Sequence, residues 1–196
     1  MKPILFNTEM VRAIIEGRKT ITRRLIKPQP AGDDSALEPY KIGDVLYVRE
    51  TWAFIPCIDC GLYNHGACRD APTTYEDKEA ISEGCFIYKA DYPEPERICW
   101  HPSIHMPKQA ARVFLRVTEI WPDHLQNING LHAKAEGCGG FVHINPLYSV
   151  PESVHNFKAL WDSTLKPSDR PIYGWEANPW VWVVGFERVS KEVAEE

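Results

Sequence analysis

The sequence contains no apolar run of the ~18 residues that a membrane-spanning helix needs. Its first residues, MKPILFN, include neither a long apolar segment nor a cleavage signal of the secretory kind. We therefore expect a cytoplasmic protein with no membrane partner, whose six cysteines are reduced or metal-bound rather than paired in disulfides. Internal repeats and low-complexity segments are also lacking, which excludes a repeat architecture.

An excess of positive charge is lacking too. The formal net charge is −5, which argues against non-specific coating of nucleic-acid duplexes, since that requires a broadly basic surface. At 196 residues, the length predicts one domain over residues 1–196. Residues 53–108 hold five of the six cysteines, many prolines and little periodicity, so we interpret them as an insertion or elaborated loop region.

What positive charge there is collects in one short stretch. Five cations fall within ten residues, and no acid lies between Glu16 and Asp33; the five are Arg18, Lys19, Arg23, Arg24 and Lys27. Removing them from the formal −5 leaves −10 for the rest of the chain. An acidic protein that gathers its cations in this way is predicted to hold an anion there, and the alternative is a solvated basic turn.

The basic stretch follows a well-specified helix. Residues 8–16 have apolar side chains on one face, a cap at Asn7 or Thr8, and Gly17 as a left-handed terminator. The remaining predicted elements are strands at 3–7, 45–51, 85–90, 111–121 and 180–189, helical or turn-like structure at 123–136 and a helix at 151–163, with a loop at 28–41. The last strand is apolar on both faces, which indicates cover on both sides, as in a barrel packed by helices. We therefore predict an α+β fold built on a small mixed β-barrel.

Three sequence blocks resemble the ASCH domain family of the PUA-like superfamily of small β-barrels. They are Gly17 to Arg24, Ile42 to Glu50, and Ala135-Glu136-Gly137. Longer blocks are similar to a phage and prophage subgroup; these are Val48 to Trp52, Pro102 to Pro107 and Asn178 to Val183. The resemblance implies a PUA-like barrel flanked by helices, with the Cys-rich insertion added.

The resemblance implies a basic cleft that binds RNA or a modified nucleoside. One branch of the family consists of amidohydrolases that remove the acetyl group from N4-acetylcytidine with a lysine, a threonine and a glutamate, which fall here on Lys19, Thr22 and Glu136. Other members act on RNA as nucleases or only bind it. Three function hypotheses follow: an amidohydrolase that needs no cofactor for catalysis, a non-catalytic RNA-binding module, and a ribonuclease that uses the same cleft.

Amide hydrolysis places specific demands on these three side chains. The Thr22 hydroxyl is a nucleophile only if a base takes its proton, and Lys19 is a base only if burial and neighbouring cations lower its pKa. Glu136 would orient the lysine or relay protons, although its charge raises the same pKa. On a regular strand Lys19 and Thr22 would face opposite sides, so an irregular turn is required. The alternatives are a solvated lysine, an ordinary strand threonine and a surface acid.

Further residues are candidates for contacting the substrate. In the basic stretch these are Arg18, Arg23 and Arg24. Elsewhere Arg49 is suited to a phosphate, Glu50 to a base edge and Trp52 to stacking. The Pro-bounded segment adds Ser103 and His105. For Arg49, Glu50 and Trp52 the alternative is an ion pair plus a core tryptophan, and for His105 it is a structural role.

A second candidate site lies in the Cys-rich segment. Cys57, Cys60, His65 and Cys68 supply four possible zinc ligands within twelve residues, and Cys85 or Cys99 can replace one of them. Such a zinc ion would be structural and would fix the insertion. The alternative is free buried thiols or a thiol redox pair.

Overall fold

The computed structural model describes residues 1–30, 38–56, 73–77, 80–92, 98–139 and 152–195. The strands in these ranges are β1 (Lys2–Leu5), β2 (Ile21–Leu25), β3 (Val45–Arg49), β4 (Trp52–Pro56), β5 (Thr73–Asp77), β6 (Ala80–Tyr88), β7 (Phe114–His124) and β8 (Trp180–Val189). The helices are α1 (Thr8–Ile15), α2 (Gly130–Ala135), α3 (Glu152–Ser163), α4 (Arg170–Tyr173) and α5 (Lys191–Glu195). Five one-turn 3₁₀ segments lie between them in the same ranges.

Five strands form a sheet in the order β1-β3-β7-β8-β2. The antiparallel pair β7 and β8 contains the two longest strands, and its register shifts between Val117 and Glu119. Gly185 pairs with Glu119 beside this bulge, and a Cβ there would lie 3.3 Å from the Glu119 Cβ, so the close approach favours glycine. Buried residues occupy both faces of β8 from Val181 to Phe186, as its apolar pattern predicts.

The α+β class is confirmed, but the expected closed barrel is not found in the described residues. There, β1 and β2 are the two edges of the sheet, because each pairs with one neighbour only. A second, three-stranded antiparallel sheet has the order β4-β6-β5. The single strand expected at 85–90 belongs to the longer β6, whereas β4 and β5 were not predicted from the irregular composition of residues 53–108.

The chain divides into two compact units. The first contains Met1–Lys2, Ala13–Tyr47 and Val113–Glu196, and the second contains Pro3–Arg12 and Val48–Arg112. The proposed insertion at 53–108 therefore lies within the second unit. Three of the four boundaries fall inside β1, α1 and β3, and the fourth follows Arg112. Neither unit is therefore one continuous segment of the chain.

The core of the first unit lies between one face of the sheet and the helices α2 and α3. Its buried residues are Leu125, Ile128, Ala133, Cys138, Val154, Phe157, Trp161, Val181 and Val183. Ile21 and Leu25 of β2 pack against this cluster, so the odd-numbered residues of β2 face it. Thr22 and Arg24 therefore lie on the opposite face. Among the helices of the described residues, none is both long and apolar enough to cross a membrane.

Candidate active site

The turn after α1 determines where Lys19 lies. Gly17 has φ of +75°, the left-handed conformation expected of a helix terminator. The amide groups of Arg18 and Lys19 both donate to the carbonyl of Ala13, at 2.8 and 2.9 Å. These two bonds close the helix and direct Lys19 towards the interior, where its side chain is only 1% exposed.

Glu136 reaches the same place from the end of α2. It is the C-cap residue of that helix, and Gly137, with φ of +87°, turns the chain away. At the other end of α2, the side chain of Asn129 accepts a hydrogen bond from the amide of His132. Lys19 and Glu136 form an isolated antiparallel bridge, and the amide of Thr20 donates to the carbonyl of Ala135 at 2.9 Å.

Lys19 and Glu136 form a buried ion pair. The Lys19 ammonium donates to Glu136 Oε2 at 2.6 Å, to the Glu136 carbonyl at 3.0 Å and to the Ile21 carbonyl at 2.7 Å. Three acceptors match the three N–H groups of an ammonium. The alternatives of a solvated Lys19 and a surface Glu136 are therefore excluded, because the two side chains are 1% and 4% exposed.

Burial lowers the pKa of Lys19, and the carboxylate of Glu136 opposes that shift. The like charge of Arg24 lowers the pKa further. A lysine that acts as a base is subject to both effects, and here the net effect is a lowered pKa of Lys19. A lowered lysine pKa increases the fraction of neutral amine available to accept a proton.

Thr22 is buried at 5% exposure and lies opposite Val184 in the pairing of β2 with β8. One of the two carbonyls that accept from the Lys19 ammonium belongs to Ile21, so the ammonium contacts the peptide that joins Ile21 to Thr22. Lys19 lies before the first residue of β2, while the amide of Phe186 donates to the Thr20 carbonyl at 2.9 Å, so the pairing with β8 already includes Thr20. An irregular turn between Lys19 and Thr22 stays a prediction. No hydrogen bond joins the Thr22 hydroxyl to Lys19 or Glu136 within the described ranges.

The three arginines of the basic stretch lie in different environments. Arg18 is exposed and pairs with Glu16 through its Nε at 2.6 Å. Arg23 is buried and donates from NH1 to Glu136 Oε1 at 3.3 Å. Arg24 shares the sheet face of Thr22, and burial lowers its pKa, with Tyr40 opposing. The structure therefore brings Arg23 to the ion pair and leaves Arg18 at the surface.

The other predicted substrate contacts belong to the second unit. Arg49 donates from Nε to the Met106 carbonyl at 2.8 Å, and His105 is exposed in the 3₁₀ segment Ser103–His105. Glu50 is 1% exposed and accepts two hydrogen bonds from Arg112, at 2.9 and 3.0 Å. Trp52 is 3% exposed, with its ring centroid 4.9 Å from that of His101. Trp52 therefore has the core position of the alternative interpretation, and Glu50 is in an ion pair whose partner is Arg112.

The four predicted zinc ligands, Cys57, Cys60, His65 and Cys68, lie outside the described residues. Within the described ranges, no group of three or more His, Cys, Asp or Glu side chains is arranged to hold a metal ion. Of the two suggested substitutes, Cys85 is partly buried, and Cys99 is exposed.

Three residues around the ion pair were not among the predicted site residues. They are His132, Phe157 and Cys138. Arg23 NH2 lies 3.4 Å from His132 Nδ1, and the guanidinium carbon lies 5.8 Å from the centre of the Phe157 ring. Cys138 is buried beside Lys19 and Glu136, and burial raises the pKa of its thiol to about 11. The alternation of Ile21, Arg23 and Leu25 was a signal that Arg23 faces the core.

No family model matches the chain, and no curated protein matches it. Among solved structures, the chain is similar to protein EF3133 from Enterococcus faecalis V583, of the family DUF984. The sequence identity is 10%, the similarity covers 97% of this chain and 82% of that chain, and the TM-score is 0.46. A likeness of this extent carries no argument about function.

Proposed function

We propose that the chain is an ASCH-type protein that binds a modified nucleoside, free or within RNA, and hydrolyses an amide such as the acetyl group of N4-acetylcytidine. The observation that carries the proposal is the buried ion pair of Lys19 and Glu136, at 2.6 Å between residues 117 positions apart. These are two of the three residues that the ASCH resemblance names for catalysis. The third, Thr22, follows the peptide whose carbonyl the Lys19 ammonium contacts.

In the proposed reaction the Thr22 oxygen attacks the acetyl carbonyl carbon, and its proton is relayed through a water molecule to the neutral amine of Lys19. Burial, which lowers the pKa of Lys19, favours that neutral form. Arg24, on the Thr22 face of β2, is placed to stabilise the negative charge on the tetrahedral intermediate. The C–N bond then breaks, the leaving nitrogen takes a proton from Lys19, and Glu136 stabilises the lysine in its charged form. Water hydrolyses the acetyl-threonine ester to acetate and free Thr22.

The test is an activity screen on N4-acetylcytidine, on unmodified single-stranded RNA and on buffer alone. The proposal predicts that the protein releases acetate and cytidine from the first and leaves the RNA intact. Strand cleavage without acetate release would instead indicate a ribonuclease. Salt-dependent RNA binding without turnover of either would indicate a binding module.

Replacing Thr22 by Val removes the nucleophile while keeping the shape of the side chain, and Thr22→Ser keeps a hydroxyl. We expect Thr22→Val to lower kcat at least ~1000-fold, as loss of a nucleophile does, and Thr22→Ser to retain turnover. The matched control is Thr118→Val on β7, whose side chain is exposed. Unchanged turnover in Thr22→Val would rule out the assigned nucleophile.

A further inference from the structure

Arg23 is a buried cation that the reaction outlined above does not use. Its side chain has 0% exposed surface, and it lies between Ile21 and Leu25 on the core-facing side of β2. A side chain enclosed in this way has no surface to offer to a phosphate or a base. The guanidinium instead makes its contacts inside the first unit, with Glu136, His132 and Phe157.

The two oxygens of the Glu136 carboxylate are held by two different cations. Oε2 accepts from the Lys19 ammonium at 2.6 Å, and Oε1 accepts from Arg23 NH1 at 3.3 Å. With Lys19 alone, the carboxylate could rotate about its terminal torsion, which is soft. With a cation on each oxygen, the plane of the carboxylate is fixed and Oε2 stays directed at Lys19.

Arg23 is itself held by a specific form of His132. A guanidinium has only donor groups, so the 3.4 Å contact between Arg23 NH2 and His132 Nδ1 requires that Nδ1 be an acceptor. The imidazole is then neutral and carries its proton on Nε2. The ring of Phe157 lies 5.8 Å from the central carbon of the same guanidinium, a cation–π distance.

Stability alone does not explain this arginine. Within the described residues, no group accepts a hydrogen bond from Arg23 Nε, although the atom is buried. A buried donor without an acceptor costs stability, and an apolar side chain of similar length would pack against the same core cluster without that cost.

We propose that Arg23 is a positioning residue, which fixes the Glu136 carboxylate against Lys19 and is in turn oriented by the neutral, Nε2-protonated form of His132. The predicted effect of Arg23 on turnover rests on the proposed function. The tautomer of His132 and the contact of each Glu136 oxygen with its own cation do not rest on it.

The first arm of the test is kinetic. Arg23→Met should lower kcat for N4-acetylcytidine about 100-fold, the effect of a small misplacement of a catalytic group, with KM unchanged. His132→Asn keeps an acceptor for Arg23 and should stay close to wild type, whereas His132→Phe should lower kcat. Arg116→Met is the matched control, because Arg116 forms an exposed pair with Glu187 at 3.6 Å. A raised KM with unchanged kcat would mark Arg23 as a substrate contact and overturn the proposal.

The second arm needs no substrate. Long-range ¹H–¹⁵N spectra of the wild-type protein at about pH 8, where an imidazole is ordinarily neutral, should show His132 protonated at Nε2. If Arg23→Met does not fold, Arg23→Lys replaces it, because lysine preserves the positive charge. Arg23→Lys should shift the ¹³C resonance of the Glu136 carboxyl. A His132 protonated at Nδ1 would overturn the proposal. If the wild type releases no acetate but shows the Nε2 tautomer and the carboxyl shift, the proposed function fails and the positioning role stands.

Discussion

Nζ of Lys19 lies 2.6 Å from Oε2 of Glu136, and both side chains are buried. Two glycines make this meeting possible, since Gly17 ends α1 just before the lysine and Gly137 ends α2 just after the glutamate. The ion pair therefore joins the ends of two helices that are far apart in the chain. Its geometry depends on backbone turns as well as on the charges.

Replacing Glu136 by Gln should strongly destabilise the protein. The substitution leaves the buried Lys19 ammonium without its counter-ion, and breaking such a pair costs about 3–5 kcal/mol. The measurement is the free energy of unfolding in urea. Glu187→Gln is the control, because the Glu187–Arg116 pair is exposed and should change stability by less than about 1 kcal/mol. Equal effects of the two substitutions would contradict a buried ion pair.

The thiol of Cys138 should make the protein less stable at high pH. In the folded chain burial and the nearby Glu136 raise its pKa to about 11, with Lys19 opposing, whereas the unfolded thiol ionises near its ordinary 9.0. Ionisation above pH 9 therefore favours the unfolded chain, and the free energy of unfolding should fall by up to about 3 kcal/mol between these two values.

Cys138→Ala isolates that effect. The difference in unfolding free energy between wild type and variant contains a packing contribution that does not depend on pH and an ionisation contribution that does. Urea unfolding across this range should show wild type losing stability relative to the variant. A difference that stays constant with pH would show that the thiol ionises equally in both states.

In the second unit, Arg112→Met should destabilise the protein in a pH-dependent way. Burial already raises the pKa of Glu50, with Arg112 opposing, so removing the arginine should raise that pKa further. At neutral pH the variant keeps an unpaired buried carboxylate, at a cost of about 3–5 kcal/mol. Protonation of the Glu50 carboxylate removes the unpaired charge. The loss of unfolding free energy in Arg112→Met relative to wild type should therefore shrink as the pH falls.

Urea unfolding of wild type and Arg112→Met at neutral and mildly acidic pH measures that deficit. The control repeats Arg112→Met in a Glu50→Gln background, where there is no carboxylate at position 50 to protonate. The stability difference between the double variant and Glu50→Gln alone should not change with pH. A deficit of Arg112→Met that is also independent of pH would mean that Glu50 does not depend on Arg112 for its charge.

The zinc site is tested by metal analysis of the purified protein. A structural zinc ion held by Cys57, Cys60, His65 and Cys68 predicts about one zinc per chain. Cys57→Ser combined with Cys60→Ser should abolish the zinc, whereas Cys99→Ser should not, because Cys99 is an exposed free thiol. Wild-type protein without zinc would favour the alternative of free or redox-active cysteines.

The sequence predicted the local structure around the site well, because that structure is specified locally. The apolar face of α1, its cap and Gly17 are adjacent in the chain, and the predicted termination is observed. The meeting of Lys19 with Glu136 was expected only through the ASCH resemblance. Spacing could not predict it, because a contact across 117 residues depends on how α2 packs on the sheet.

Other features depend on tertiary context that the sequence does not express locally. Arg23 was grouped with the substrate-binding cations because charge normally indicates solvent, yet the alternation of β2 buries it. Glu50 was assigned a base edge, and its bidentate partner Arg112 lies 62 residues away. β4 and β5 were missed because irregular, cysteine-rich composition conceals short strands.

The pairing of β2 with β8 puts Thr22 opposite Val184 and Arg23 opposite Val183, so adjacent residues of one strand serve opposite faces of the sheet. A slip of β2 by a single residue would exchange them, turning the hydroxyl into the helical layer and the guanidinium away from Glu136. If the proposed function holds, any insertion or deletion between Gly17 and Thr22 should therefore abolish acetate release even where the protein still folds. The placement of these two side chains depends on strand alignment as much as on residue identity.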